Sequence, residues 1–214
     1  MTPLDITDYI AIFLVIFLAI GIHEYAHAKL ADMAGDPTPG IYGRVTLNLF
    51  KHFDPIGTIM IILTVLSGFG IGWGKPVPMD PRKMRNPKWD HFVAVIGGPA
   101  SNFIQAMLFA VMFRLTAGQE IPFLSTFLLY GVLINVSLGL FNLLPIGPLD
   151  GMWILGTFLP DRARIKWTQF NLQFGGFLFL GLIILGQTGA FPLFSMILGP
   201  AGRAVTRFML GTEL

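Results

Sequence analysis

Long, uninterrupted apolar segments constrain this chain more than any other feature of its sequence. A helix needs about 20 mostly apolar residues in a row to cross the hydrocarbon core of a bilayer. The segments Phe92–Phe113 and Phe123–Leu144 are each long enough. Only 12% of the 214 residues are charged, about half the share in a typical soluble domain, whereas 54% are hydrophobic. The chain is therefore predicted to be a membrane protein.

Further apolar segments complete the predicted fold. Three of them are long enough to cross, namely Ile6 to about Ala34, Phe170–Gln187 and Ala190–Leu210. A shorter block, Ile56–Gly72, is rich in Gly, Thr and Ser, and a short extended segment is predicted near residues 72–79. The predicted fold class is an all-α polytopic membrane protein with about five spanning helices. Because no change of composition divides the chain, residues 1–214 are expected to form a single membrane-embedded domain.

Charge and cysteine content exclude several classes of function. The formal net charge is only +2, from 14 Lys and Arg against 12 Asp and Glu. The basic residues do not form one patch, so a nucleic-acid partner is not expected. The chain has no cysteine, which excludes a disulfide framework, a thiolate metal site and a Cys nucleophile.

The residues His23-Glu24-Tyr25-Ala26-His27, at the polar end of the first apolar segment, match the pattern H-E-x-x-H. Residues four apart share one face of a helix, so both imidazoles can reach one cation. Glu24 lies on a neighbouring part of the same turn, where it can take a proton from water. Ionisable groups at or near membrane depth cost several kcal/mol, so we interpret this cluster as a catalytic metal site rather than as structural polar residues.

A catalytic zinc ion needs three protein ligands and one open position, so a third ligand must come from elsewhere in the chain. The metzincin extension is excluded because the position six residues after His27 is Met33. Asp150 follows the segment Phe123–Leu144 directly, where two prolines and two glycines break the helix and let a carboxylate turn inward. Asp54, which immediately precedes a proline, is the rival ligand.

Several further motifs accompany the H-E-x-x-H pattern between Gly21 and Gly151. In chain order they are Gly35–Pro37 with Gly43–Asn48, His52–Gly57, Gly72–Pro78, Gly98–Asn102 and Asn142–Gly151. In their order and number they resemble the site-2 protease family of intramembrane zinc metalloproteases. The resemblance implies one Zn²⁺ per chain, with its ligands and its general base at the positions that match the family motifs. Those ligands are His23, His27 and Asp150, the general base is Glu24, and Asn102 and Asn142 are implied polar groups near the scissile peptide.

The resemblance also implies what the protein acts on. The expected activity is hydrolysis of peptide bonds in or near transmembrane segments, as in regulated intramembrane proteolysis. The expected partners are a single-span membrane protein substrate and the lipid bilayer, whereas the oligomeric state is not specified. We see no inserted PDZ module and no appended nucleotide-sensing domain, so a compact form is expected. We hypothesise that Gly72–Met79 pairs with the unwound substrate as an added strand; the alternative is a surface loop anchored at the interface.

A shared metal ion would also constrain the topology. If the three ligands hold one ion, the C-terminal ends of the first apolar segment and of Phe123–Leu144 lie at one depth in the membrane. An even number of crossings must then separate these two ends. Ile56–Gly72 must then be re-entrant. With the N-terminus outside, all Lys and Arg residues except Arg114 lie on the cytoplasmic side, as the positive-inside rule prefers. The predicted location is the cell membrane, with the C-terminus cytoplasmic and the active site toward the cytoplasmic leaflet.

Three other functions use similar residues. A membrane protease of the prenyl-protein-processing kind would bring a Glu ligand on a later helix, but only Glu120 and Glu213 follow Glu24. A metal transporter would need acidic or His residues at several depths, and the later helix interiors hold almost none. A scaffold with a structural metal would close the fourth ligand position, for which His52 is the natural candidate.

Overall fold

The computed structural model describes residues 5–67, 72–117, 121–187 and 193–211, and within these ranges it contains helices but no strand. The helices are α1 (Ile6–Met33), α2 (Thr38–Ile41), α3 (Pro55–Ser67), α4 (Trp89–Leu115), α5 (Pro122–Asn142), α6 (Gly151–Phe158), α7 (Asp161–Phe170), α8 (Gly176–Gln187) and α9 (Leu193–Leu210). Short 3₁₀ turns lie at Leu49–His52 and Pro81–Lys83, and a π-helical turn, Asn171–Gly175, joins α7 to α8. The predicted all-α class is confirmed.

Four helical segments of the described chain are long and apolar enough to cross a membrane. α1, α4 and α5 match three of the predicted spans, and α7 with α8 supplies a fourth, Asp161–Gly186. The sequence predicted about five spans, one more than the four found among the described residues. The difference lies in α9, whose two arginines, Arg203 and Arg207, lower its mean hydropathy. Residues 190–192 of that predicted span lie outside the described residues.

The sequence sets the start and the length of α1 locally. The Asp5 side chain accepts hydrogen bonds from the Thr7 and Asp8 backbone N–H groups, and the Asp8 carboxylate accepts one from the Asp5 N–H. This capping box satisfies donors that have no partner within the helix. Without an internal proline, the helix continues for 28 residues, about 42 Å. It ends before Gly35, whose φ of 102° is a left-handed conformation that favours glycine.

α1, α4 and α5 pack against one another in the centre of the fold. Small side chains at these contacts let the backbones approach closely, as is usual where membrane helices pack. The buried small residues of these helices include Ala11, Ala19, Ala94, Gly97, Ala106, Ala110, Gly131 and Gly139. Gly131 illustrates the requirement, since a Cβ atom there would overlap the ring of Phe109.

α3, as far as the structure describes it, is shorter than a membrane-spanning helix. Its 13 residues extend about 20 Å, whereas the hydrocarbon core is about 30 Å thick. The chain also returns beside its starting point, because Phe53 and Gly74 form an isolated antiparallel β-bridge and the Lys75 N–H donates to the His52 carbonyl at 2.8 Å. The segment around α3 thus enters and leaves at one place, as a re-entrant segment does; residues 68–71 lie outside the described residues. Residues 75–80 form neither helix nor strand, and Gly74 makes the isolated bridge, so the extended segment predicted near 72–79 stays a prediction.

The C-terminal end of α9 lies beside the C-terminal end of α4. Arg114 donates to the carbonyls of Leu210 and Phe208 at 3.1 and 3.0 Å, and so satisfies acceptors that have no donor within their own helix. α4 rises about 24 Å from Gly98 to Arg114, so this end is far from the H-E-x-x-H pattern, which packs against Gly98.

This contact bears on the predicted topology, which places Arg114 outside and the C-terminus in the cytoplasm. In the structure the C-terminal ends of α4 and α9 lie next to each other. α1 runs antiparallel to α4, with Ala31 beside Ala94 and Ala19 beside Asn102. The N-terminal end of α1 therefore lies at the same end of the bundle, and the side of the membrane that each end faces stays a prediction. The sequence could not show this arrangement, because it depends on how the last two helices pack.

Candidate metal centre

Three side chains from distant parts of the chain meet at the end of α1 that carries the H-E-x-x-H pattern. His23 Nε2 and His27 Nε2 lie 3.0 Å apart, and Asp150 Oδ2 lies 3.2 and 3.4 Å from them, respectively. Ligand atoms arranged tetrahedrally about 2.0–2.1 Å from zinc are about 3.3–3.4 Å from one another. The triangle of these three atoms therefore fits three positions of a tetrahedral zinc shell.

The Asp150 carboxylate gives an independent test of whether these residues suit a cation. Its Oδ2 atom is buried and accepts no hydrogen bond within the described part of the chain. Asp150 occupies the N-cap position of α6, yet its side chain makes no capping hydrogen bond. Burying a carboxylate oxygen without a partner costs several kcal/mol, and a divalent ion between this oxygen and the two imidazoles would compensate that cost. The donor set therefore fits zinc.

Buried amide side chains orient His23. Asn102 Oδ1 lies 2.7 Å from His23 Nδ1, and Asn102 Nδ2 donates to the Ala19 carbonyl at 3.2 Å and to Asn135 Oδ1 at 3.0 Å. Because Oδ1 can only accept, Nδ1 carries the proton and Nε2 directs its lone pair toward the cluster. Both asparagines are fully buried. The contacts of Asn102 are thus those of a group that positions a ligand, and its implied proximity to the scissile peptide stays a prediction.

His27 is oriented by the backbone of α4. Its Nδ1 lies 2.8 Å from the Ala94 carbonyl, which again leaves Nε2 for the cluster. α4 can approach this closely because residue 98 is glycine, where a Cβ atom would overlap His27 Nε2 and crowd His23 Cε1. Pro99 follows inside the helix and removes one backbone donor, which loosens the helix at this point.

We expect Gly98→Ala to lower the affinity for zinc by about 10–100-fold, the range typical of changes beside metal ligands. The added methyl group must displace both imidazoles or the whole of α4. Zinc content after dialysis against a metal buffer, measured by mass spectrometry, checks this. Gly181→Ala is the matched control, because a Cβ atom at that helical glycine meets nothing within 4 Å. Equal zinc content in both variants would contradict the close packing described here.

The connection between α5 and α6, which carries Asp150, is held by a side chain beyond α7. The Gly147 N–H donates to Asn171 Oδ1 at 2.8 Å, and Asn171 Nδ2 donates to the Trp167 carbonyl at 3.0 Å. Asn142, at the end of α5, donates to the Leu138 carbonyl within its own helix at 3.0 Å. Its implied proximity to the scissile peptide stays a prediction.

Glu24 contacts the residues that follow α3. Its Oε2 atom accepts a hydrogen bond from the Val77 N–H at 3.1 Å and lies 4.0 Å from Arg44 Nη2. The Glu24 side chain is 14% exposed and that of Arg44 is 4% exposed, so this ion pair is largely removed from solvent. Glu24 is thus restrained on one carboxylate oxygen, beside the cluster formed by its sequence neighbour His23.

His52 and Asp54 lie outside the cluster. His52 Nε2 donates to the Thr46 carbonyl at 2.9 Å, and its Nδ1 lies 3.4 Å from Arg44 Nη2. Asp54 Oδ1 accepts from the Gly57 N–H at the start of α3. Among the residues that the structure describes, the three ligands named above are the one set of His, Asp or Glu side chains that could hold a metal ion. The structure therefore supports neither Asp54 as the third metal ligand nor His52 as a fourth.

Three residues that contact this site are not among the site residues predicted from the sequence. Asn135 offered a signal, because an amide in the middle of an apolar span is a candidate functional residue by default. Asn171 offered none, since it stands at the end of a predicted span, where polar residues are common. Arg44 belongs to a motif that carries the family resemblance, but nothing in that motif indicates what its guanidinium contacts.

Known proteins resemble this chain over most of its length. A protein-family model, described as Peptidase family M50, matches residues 119–183 of this chain. The Bacillus subtilis (strain 168) protein named "Putative zinc metalloprotease YwhC" is 36% identical over 211 residues, which are 94% of this chain and 90% of that protein. The Mycolicibacterium smegmatis (strain ATCC 700084 / mc(2)155) protein named "Putative zinc metalloprotease Rip2" is 27% identical over 164 residues, 73% of this chain and 62% of that protein. No solved structure matches the chain.

Proposed function

The chain belongs to peptidase family M50, the site-2 protease family of membrane zinc metalloproteases, and from this premise we propose that it cleaves peptide bonds in or near the transmembrane segments of membrane proteins. The observation that supports the proposal is the ligand cluster itself, built on α1 between helices long enough to cross a bilayer. We further propose that residues 1–214 act as one membrane-embedded domain.

In the proposed mechanism, His23, His27 and Asp150 hold zinc, and Glu24 is the general base. Bound zinc supplies Lewis-acid chemistry that lowers the pKa of water from about 15.7 toward about 7. Glu24 would take the proton of the attacking water. The Val77 N–H engages Oε2 of Glu24, which leaves Oε1 to accept that proton. General-base catalysis by a positioned side chain typically contributes about 10²–10⁴-fold to the rate.

Peptide hydrolysis also requires access for water and an unwound substrate. The side chain of Asp150 is 18% exposed, so the proposed site is not sealed from solvent. We propose that residues 72–79 bind the unwound substrate. The N–H groups of Lys75 and Val77 are already donated within the chain, and Pro76 and Pro78 have none. In this proposal the substrate therefore donates its own N–H groups to carbonyls of the segment other than those of Lys75 and Pro76, which accept from Arg44.

Incubation of the purified, zinc-loaded protein with candidate single-span peptides tests the proposal. We expect cleavage within or next to the apolar segment of a substrate, mapped by mass spectrometry. A chelator should abolish the cleavage, and added zinc should restore it. The scrambled, non-helical form of the same peptide is the matched control for sequence-independent hydrolysis. Cleavage that persists in chelator, or that occurs only at sites remote from the apolar segment, would contradict intramembrane zinc proteolysis.

We also propose that the cluster faces the cytoplasmic leaflet, because basic residues of the α3–α4 connection and of α7 lie on its side. The N-terminal end of α1 and the C-terminal end of α9 would then both be extracellular. The chain has no cysteine, so single cysteines at the exposed positions Thr7 and Phe208 can report the sides of these two ends. We expect an impermeant thiol reagent to label both from outside intact cells. Labelling of the two positions from opposite sides would contradict the packing of α9 on α4.

A further inference from the structure

We infer that Arg44 is a positioning residue for Glu24, acting through the backbone of residues 75–77. The inference rests on the proposed role of Glu24 as the general base. Arg44 follows α2 and lies far from Glu24 in sequence, and it is neither a metal ligand nor on a membrane-spanning helix. It is nevertheless only 3% exposed and stands 4.0 Å from the Glu24 carboxylate.

The first observation is that Arg44 fixes consecutive peptide units between Lys75 and Val77. Its Nη1 donates to the Pro76 carbonyl at 3.0 Å, and its Nη2 donates to the Lys75 carbonyl. The next residue, Val77, donates its N–H to Glu24 Oε2 at 3.1 Å. One guanidinium thus holds the peptide unit that contains the Val77 N–H, through its Pro76 carbonyl, and the peptide unit before it, through its Lys75 carbonyl.

The second observation is that the guanidinium is itself held in place. His52 Nε2 donates to the Thr46 carbonyl, so His52 Nδ1 is unprotonated and can accept from Arg44 Nη2, which lies 3.4 Å away. The planar fork of an arginine can serve several acceptors at once, whereas a lysine presents one point charge on a flexible stem. This geometry requires arginine rather than positive charge alone.

The third observation is that stability does not explain a buried arginine at this place. Arg44 Nε is buried and has no hydrogen-bond partner among the described residues, and its one ion pair is long, at 4.0 Å. An unpaired buried donor costs folding free energy, and a buried ion pair of this kind adds little net stability. What the residue does provide is a fixed position for the Val77 N–H and for the charge beside Glu24.

The expected consequence is a loss of turnover without a loss of metal. A catalytic group displaced by about 1 Å can cost about 100-fold in rate. We expect Arg44→Gln to lower kcat by about 10–100-fold while the zinc content equals that of the unaltered protein. Because Arg44 also holds the segment proposed to bind the substrate, KM should rise in the same variant. Arg44→Lys keeps the charge but not the planar fork, so its kcat should lie between that of Arg44→Gln and that of the unaltered protein. Arg82→Gln is the matched control, because Arg82 is exposed and pairs only with Asp80 on the same connection; its kcat should be unchanged.

The experiment compares these full-length, zinc-loaded variants on the peptide that the unaltered protein cleaves. An unchanged kcat in Arg44→Gln overturns the inference, and so does a fall in kcat that is matched by an equal loss of zinc. If Arg44→Gln does not fold, Arg44→Lys decides: an intermediate kcat with full zinc supports the inference, and an unchanged kcat overturns it. The kcat of Glu24→Gln is measured on the same peptide. If that variant is fully active, the proposed function fails; if it is inactive while Arg44→Gln is fully active, only this inference fails.

Discussion

Glu24→Gln is expected to keep its zinc and to lose nearly all turnover. Glutamine has the size of glutamate, and its side-chain oxygen can still accept the Val77 N–H that now binds Oε2. It cannot take a proton from water, so the rate should fall by at least the roughly 10²–10⁴-fold that a positioned general base contributes. The measurement is kcat on a cleaved peptide together with the zinc content of the same preparation.

A second carboxylate on α1 provides the control for Glu24→Gln. Asp32 is partly exposed and pairs only with Lys29, one turn away, so Asp32→Asn should keep both zinc and turnover. Full turnover in Glu24→Gln would show that the proton of the attacking water goes to another group. Loss of zinc in Glu24→Gln would show instead that the glutamate helps to build the metal site.

Asp150→Ala is expected to lose zinc and activity together. Removing the carboxylate leaves two imidazoles and no negative ligand, so the affinity for zinc should fall by more than the roughly 100-fold upper range for changes beside metal ligands. Zinc retention against a graded series of competing chelators measures the affinity, and peptide cleavage in excess zinc measures the activity.

Asp54→Asn is the control that separates Asp150 from its rival. Asp54 caps the start of α3 through the Gly57 N–H, so the substitution should weaken that turn and leave zinc binding unchanged. The opposite pattern, with zinc lost in Asp54→Asn and kept in Asp150→Ala, would remove the basis of the proposed centre. Full cleavage activity in Asp150→Ala would do the same.

The sequence alone predicted those features of the protein that depend only on neighbouring residues in the chain. The length of an apolar segment decides whether it can cross a bilayer, so α1, α4 and α5 follow from composition within each segment. The spacing of His23 and His27 places both on one helix face whatever the rest of the chain does. The re-entrance of Ile56–Gly72, by contrast, was predicted from the shared metal ion, and the short length of the segment only suits it.

Only the tertiary structure decided which distant groups meet. Asp150 and Asp54 were both candidates, and the difference between them is how the loops fold: one carboxylate turns to the imidazoles, and the other caps its own helix. The contacts of Asn102 with His23 and of Arg44 with residues 75–76 also join segments far apart in the chain. No local pattern encodes such contacts, because they depend on the packing of whole helices.

The end of α9 illustrates the same division. Its sequence shows an apolar helix with two arginines, but not the helix end beside which it stops. The structure shows that neighbour, because Arg114 donates to the last carbonyls of α9 from the end of α4. The carbonyls at a helix terminus need a donor from elsewhere, and which donor they find is a property of the folded protein.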